Sequence, residues 1–141
     1  MPTLPALLLA ASAAIVLLLG LLHLNLTFRG SKLHPRDAEL QARMKEVSPV
    51  LTRRTTMWKA WVGFNASHSF GAMLFGLVYG YLALVHSSFL FASAFLLLVG
   101  LCLLVGYLLL ARAYWFHIPL RGVVAALVLY LAALVLHGSG F

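Results

Sequence analysis

The residues of this chain that could do chemistry are polar side chains inside a long apolar segment. Asn65 and His68, together with Ser67 and Ser69, lie within five consecutive positions. Imidazole and amide groups can bind a ligand or hydrogen-bond to a neighbouring helix. An apolar environment makes such groups costly unless they are paired, so a group of them predicts a functional site. Polar residues in spans also link helices, and a structural role is the alternative for each of them.

A second polar pair, His23 and Asn25, occurs in the first apolar segment. Asn65 and His68 are three residues apart, which places them on one face of a helix. At a rise of 1.5 Å per residue, His68 lies roughly 13 Å and His23 roughly 9 Å from the basic residues that end their segments. Both depths are measured from the same side, so we expect the two histidines to converge.

Aromatic and basic residues between the third and fourth apolar segments supply further candidate ligands. Tyr114 and His117 can cover a pocket, and Arg112 and Arg121 can attract an anionic group. The candidate ligand-binding residues are His23, Asn25, Asn65, His68, Arg112, Tyr114, His117 and Arg121.

The composition identifies the elements that must position these residues. The chain is 63% hydrophobic and 9% charged, whereas soluble domains are about 25% charged. Apolar runs of about 20 residues are long enough for membrane-spanning helices, and their continuous pattern does not suit barrel strands. The first run is too long for a signal peptide and has no basic leader, so we expect a retained span. The predicted spans are 4–28, 58–85, 89–111 and 119–137.

The distribution of charge predicts the orientation. All ten Lys and Arg residues lie in or beside the first and third connections. The positive-inside rule therefore places both connections in the cytoplasm and both termini outside. Basic residues at such positions meet anionic lipid headgroups, so membrane lipids are the expected partners and nucleic acid is not.

The first connection, 29–57, is the only long one. Apolar residues recur at helical spacing between Leu40 and Leu51. Pro35 suits the start of a helix and Pro49 suits its end. This pattern predicts a short amphipathic helix at the membrane interface, with a solvated loop containing one helical turn as the alternative. The second connection, near residues 86–88, is long enough only to reverse the chain.

The second span also shows how the helices pack. His68, Ala72, Gly76 and Gly80 follow one another at four-residue steps. Small residues at this spacing let helix backbones approach closely. We therefore predict an all-α fold: a single transmembrane domain, 1–141, in which four helices form a bundle, with the interfacial helix in its first cytoplasmic connection.

The run MWKAWVGFNASHSFGAMLFGLVYGYLAL in the second span resembles a group of small bacterial four-span integral membrane proteins. This resemblance implies the four-helix bundle, a bacterial plasma membrane and a polar cluster common to the group, but no activity. The residues that carry it are Trp61, Gly63, Asn65, Ser67, His68, Ser69 and Gly71.

Three functions remain open. The leading hypothesis is a polar pocket near the cytoplasmic leaflet that binds a small ligand such as a lipid headgroup or a quinone. The alternative is an accessory or structural subunit, without its own ligand, that docks a larger membrane complex or another copy of itself. The third is an oxidoreductase that uses a quinone or a b-type haem held by His23 and His68. Other metals are not expected, because the three acids lie in the first connection and Cys102 is the only cysteine.

Overall fold

The computed structural model describes residues 2–140, and the regular structure within them is entirely helical. Four helices are long and apolar enough to cross a membrane, so the protein is an all-α integral membrane protein, as predicted. A short helix also forms in the first connection. The helices are α1 (Leu4–Phe28), α2 (Ala38–Glu46), α3 (Met57–Val85), α4 (Ser87–Ala92), α5 (Ala94–Tyr114) and α6 (His117–Gly138).

The third span differs from its predicted range of 89–111. A separate short helix, α4, precedes it, and α5 begins only at Ala94 and continues to Tyr114. The backbone at Ser93 is extended, and its hydroxyl accepts a hydrogen bond from the N–H of Leu96 at 3.3 Å. Serine at this position satisfies an amide that the first turn of a helix leaves unpaired. This cap divides the apolar run into two helices.

The chain forms two compact units. The first contains the described residues up to 19 and from 72 onward, and the second is Gly20–Gly71. In the first unit, the start of α1 and the end of α3 pack with α4, α5 and α6 around one core. The buried core residues include Leu9, Ala13, Phe75, Tyr79, Leu90, Leu104, Ala126 and Tyr130.

The face of α3 that carries Gly76 packs against α1 within this unit. A Cβ atom on Gly76 would lie 2.5 Å from the Cβ of Leu17 and 2.8 Å from the carbonyl oxygen of Ala13. A Cβ on Gly80 would lie 3.7 Å from the Cβ of Ala13, which is ordinary contact. Ala72, on the same face, is also buried. The predicted close approach of helix backbones is therefore confirmed at Gly76, and Ala72 and Gly80 lie on the same packed face.

Polar side chains inside the first unit are satisfied by backbone carbonyl groups. The hydroxyl of Ser12, fully buried, donates to the carbonyl oxygen of Ala126 at 2.7 Å. The hydroxyls of Tyr79 and Tyr130 donate to the carbonyl oxygens of Leu96 and Leu97 at 2.7 and 2.9 Å. Such bonds join helices in an environment that offers no water to either partner.

The second unit contains the end of α1, the first connection and the start of α3. The indole N–H of Trp61 donates to the carbonyl oxygen of Leu33 at 3.1 Å. The ring of Trp58 meets the imidazole of His34 edge to face, with centroids 4.9 Å apart, and the Nζ of Lys45 lies 5.8 Å from the Trp58 ring centroid. Two tryptophans at the start of α3 thus hold the connection in place.

The predicted helix in the first connection is α2, nine residues long. It begins after Asp37, whose carboxylate accepts hydrogen bonds from the N–H groups of Glu39 and Leu40. A carboxylate in this position both caps the helix and complements its dipole. None of the residues of α2 is buried.

Candidate functional site

His23 on α1 and His68 on α3, which were predicted to converge, meet in the second unit. The Nε2–H of His23 donates to Oδ1 of Asn65 at 3.0 Å. The imidazole rings of His23 and His68 meet edge to face, with centroids 5.4 Å apart and an interplanar angle of 81°. We call His23, Asn65 and His68 the polar cluster.

Hydrogen bonds on α3 fix the orientation of the Asn65 amide. Its Nδ2 donates to the carbonyl oxygen of Trp61 one turn earlier, at 2.8 Å. The amide oxygen therefore faces His23, and since this oxygen can only accept, the Nε2 of His23 must carry a hydrogen. The hydroxyl of Ser69 in turn donates to the backbone carbonyl of Asn65 at 2.9 Å. The cluster is internally paired.

This arrangement does not fit a haem held by two histidines. Such a haem needs two imidazole nitrogens that face each other across the macrocycle. The Nε2 of His23 is instead committed to Asn65, and the rings of His23 and His68 are in edge contact. Among the described residues, no three His, Cys, Asp or Glu side chains are grouped closely enough to hold a metal ion.

Asn25 lies on the side of α1 away from His23, and its predicted place in a pocket with His23 stays a prediction. Two residues along a helix correspond to a rotation of about 200°, so the two side chains leave α1 on nearly opposite sides. Asn25 instead lines a groove of about 360 Å³. Of the other lining residues, Leu21, Leu24 and Phe28 share its face of α1, and Arg29 follows the end of the helix.

The residues predicted for the mouth of the pocket belong to the first unit. Arg112 and Tyr114 lie in the last turn of α5, and His117 and Arg121 in the first turns of α6. All four are exposed, Tyr114 by 81% of its surface. Their role at a ligand site stays a prediction.

A second groove, of about 500 Å³, lies in the first connection and was not predicted. The side chain of Gln41 forms one wall, where its Nε2 donates to Nδ1 of His34 at 3.1 Å. We call it the basic groove; its lining is Ser31, Lys32, His34, Pro35, Arg36, Ala38 and Gln41.

The chemistry of the basic groove is that of an anion site. Lys32 and Arg36 supply ammonium and guanidinium donors, and Ser31 adds a hydroxyl. None of its seven lining residues is a carboxylate. Arginine and lysine form their strongest hydrogen bonds with phosphate and carboxylate oxygens. The sequence signal for this site was the concentration of basic residues on both sides of Pro35.

The polar cluster is connected to the basic groove by a series of hydrogen bonds. Asn65 bonds His23 on one side and the Trp61 carbonyl on the other. The Trp61 indole then bonds the carbonyl of Leu33, the residue before His34. The start of α3, which carries Asn65 and Trp61, is therefore bonded both to the cluster and to the residue next to the basic groove.

The link between His23 and Asn65 can be measured directly. Replacing His23 with phenylalanine and Asn65 with leucine, singly and together, should reveal a coupling free energy of about 1 kcal/mol. Denaturant-induced unfolding in detergent, followed by circular dichroism, provides the four free energies. Ser67→Ala is the matched control, because the Ser67 hydroxyl bonds the Phe64 carbonyl of its own helix at 2.9 Å. Equal coupling of His23 to Asn65 and to Ser67 would contradict the contact.

Comparison with known proteins assigns no family to the chain, since no family model, curated protein or solved structure matches it.

Proposed function

We propose that this integral membrane protein binds the anionic headgroup of a membrane lipid in the basic groove. The observation that carries the proposal is the lining of the groove, which combines Lys32, Arg36 and the hydroxyl of Ser31 without a carboxylate. A phosphate oxygen in this groove would accept hydrogen bonds from two permanent cations. Because Lys32 and Arg36 are exposed, each of these charge-assisted bonds contributes up to about 1 kcal/mol.

The position of the groove along the chain supports a lipid as the ligand. Helix α1 ends at Phe28, and the groove begins at Ser31. A residue just beyond the end of a span lies at the level of the headgroups. A phosphate at this level belongs to a lipid that is already present at high local concentration.

The groove suits a phosphate better than a quinone. A quinone presents two carbonyl oxygens on a flat ring, which aromatic side chains bind by stacking. The only ring among the seven lining residues that is aromatic is the imidazole of His34. That ring already contacts Trp58 edge to face and accepts a bond from Gln41. In this proposal the polar cluster stabilises the helices beside the groove and does not bind the lipid, because its side chains contact one another.

We also propose that the basic groove faces the cytoplasm of a bacterial cell, with both termini outside the plasma membrane. The support is the concentration of all ten Lys and Arg residues in or beside the first and third connections. A periplasm-active reporter fused to the C-terminus should be active, and one fused within the first connection should not. The reverse pattern would place the groove on the outer surface.

If the groove binds the lipid, removal of its two cations should selectively weaken the binding of an anionic lipid. Lys32→Gln with Arg36→Gln should weaken binding of phosphatidylglycerol about tenfold or more, since each tenfold corresponds to about 1.4 kcal/mol. Native mass spectrometry of the detergent-solubilised protein, titrated with phosphatidylglycerol or phosphatidylcholine, measures the bound fraction. Arg43→Gln with Lys45→Gln is the control, because it removes the same charge from α2, outside the lining of the groove.

Three results would count against the proposal. Equal binding of both lipids would show that charge does not select the ligand. Equal losses in the two double variants would show that net charge, and not the groove, binds the lipid. Displacement of the lipid by low concentrations of inorganic phosphate would identify a soluble anion as the ligand.

A further inference from the structure

The segment between α2 and α3 forms a closed loop with an apolar tip. The N–H of Met57, the first residue of α3, donates to the carbonyl oxygen of Val47 at 2.8 Å and closes the neck of the loop. The N–H of Thr52 donates to the carbonyl oxygen of Pro49 at 3.2 Å, which is the hydrogen bond of a four-residue turn. Val50 and Leu51 are the two central residues of that turn.

These two side chains are the most exposed large apolar groups of the second unit. Val50 is 109% and Leu51 94% exposed, relative to fully accessible residues. Lipid-facing residues of a span are also exposed, but this turn lies outside the four membrane-length helices. The next two side chains after the turn residue Thr52 are Arg53 and Arg54, both exposed. The loop therefore presents two apolar groups together with two cations.

We infer that the tip formed by Val50 and Leu51 inserts into the headgroup layer of an anionic leaflet, while Arg53 and Arg54 contact lipid phosphates. This is a second membrane contact, independent of the basic groove. The neck of the loop lies at the first residue of a membrane-length helix, and three residues of extended chain reach about 10 Å from it. The headgroup layer is about 5–8 Å thick on each side of the bilayer, so the tip is within reach of it.

Charge identifies the occupant as a lipid surface. Eight of the ten Lys and Arg residues, but only three acids, lie between positions 29 and 59. Anionic leaflets attract basic segments beside a span, and apolar groups with amphipathic neighbours settle at the boundary between headgroups and acyl chains. A protein partner for the tip would be bound without regard to lipid charge, which provides the contrast for a test.

The test is the fluorescence of an environment-sensitive NBD label in lipid nanodiscs. The exposed Cys102 is first replaced by serine so that the label reacts at one position only. The label is then placed at Leu51→Cys or, as the control, at Ala42→Cys, which lies opposite Leu40 on α2. Discs of phosphatidylcholine alone are compared with discs that contain equal parts of phosphatidylglycerol.

We expect the emission at position 51 to shift to the blue in anionic discs and to be quenched by lipids that carry a spin label near the headgroup. Position 42 should show neither effect. Arg53→Gln with Arg54→Gln should abolish the difference between the two lipid compositions, whereas Lys32→Gln with Arg36→Gln should leave it intact. Helix content by circular dichroism verifies that each variant is folded.

Two outcomes would overturn the inference. Emission at position 51 that matches position 42 in anionic discs would show that the tip stays in water. An unquenched blue shift that is equal in both lipid compositions would show that the tip is covered by protein. If Lys32→Gln with Arg36→Gln did not weaken lipid binding, while the blue shift at position 51 persisted, the proposal for the basic groove would be refuted and the inference for the tip would stand.

Discussion

Gly76→Ala should lower the free energy of unfolding by about 3 kcal/mol, the upper part of the usual range for overpacking a core. The added Cβ would lie 2.5 Å from the Cβ and 2.9 Å from the Cα of Leu17, and 2.8 Å from the carbonyl oxygen of Ala13. Two of these atoms belong to the backbone of α1, so a change of rotamer cannot relieve the overlap. The two helices must separate, and contacts along their interface are lost.

The matched control is Gly106→Ala in α5. Apart from its chain neighbours and the local helix backbone, no atom lies within 4 Å of a Cβ built on Gly106. Because alanine favours a helix over glycine by about 1 kcal/mol, this change should be neutral or stabilising. Thermal and denaturant unfolding in detergent, followed by circular dichroism, should thus give effects of opposite sign. Similar effects at Gly76 and Gly106 would show that α1 and α3 are not in close contact at this level.

Tyr130→Ala should lower the free energy of unfolding by about 3 kcal/mol. The side chain of Tyr130 is fully buried and is among the largest that the core contains. Its hydroxyl reaches the carbonyl of Leu97, and its ring lies 6.4 Å from that of Tyr79. Lipid is as apolar as the core, so most of the loss comes from packing contacts around the cavity and not from transfer out of water.

Tyr130→Phe separates the hydroxyl from the ring. It retains the packing and removes one hydrogen bond between helices, which is worth about 0.6 kcal/mol on average in membrane proteins. The loss measured for Tyr130→Phe should therefore be a small fraction of the loss for Tyr130→Ala. If the two variants were equally unstable, the hydrogen bond and not the ring would hold α6 against α5.

The spans and one packing face could be predicted because each depends on a local pattern. A run of apolar residues long enough to cross a bilayer has few stable alternatives to a helix. Small residues at four-residue steps, such as Gly76 and Gly80, mark a close approach between helices. Hydropathy therefore predicted most ends of the four long helices to within a few residues.

His23 and Asn25 were grouped in one candidate site because they are close in sequence, although helical geometry places them on different faces of α1. Residues two apart do not share a face of a helix. The contact of His23 with Asn65 joins positions 42 residues apart. It could be anticipated only from similar depths in the membrane, which do not determine the rotation of either helix.

The basic groove and the start of α5 were missed for different reasons. The groove is built by a folded connection, in which Gln41 turns back to His34 and Trp61 bonds Leu33. Such contacts follow no periodicity. At Ser93 a signal was present, since serine is a preferred helix cap, but the surrounding apolar run concealed it.

The cap at Ser93 has a consequence for the fit between the protein and the bilayer. An unbroken helix from Ser87 to Tyr114 would be about 42 Å long, well beyond the hydrocarbon thickness of about 30 Å. Such an excess forces a helix to tilt or the surrounding lipids to stretch. Helix α5, with 21 residues, is instead about 32 Å long. The break at Ser93 thus brings the length of the third span close to the thickness of the hydrocarbon layer.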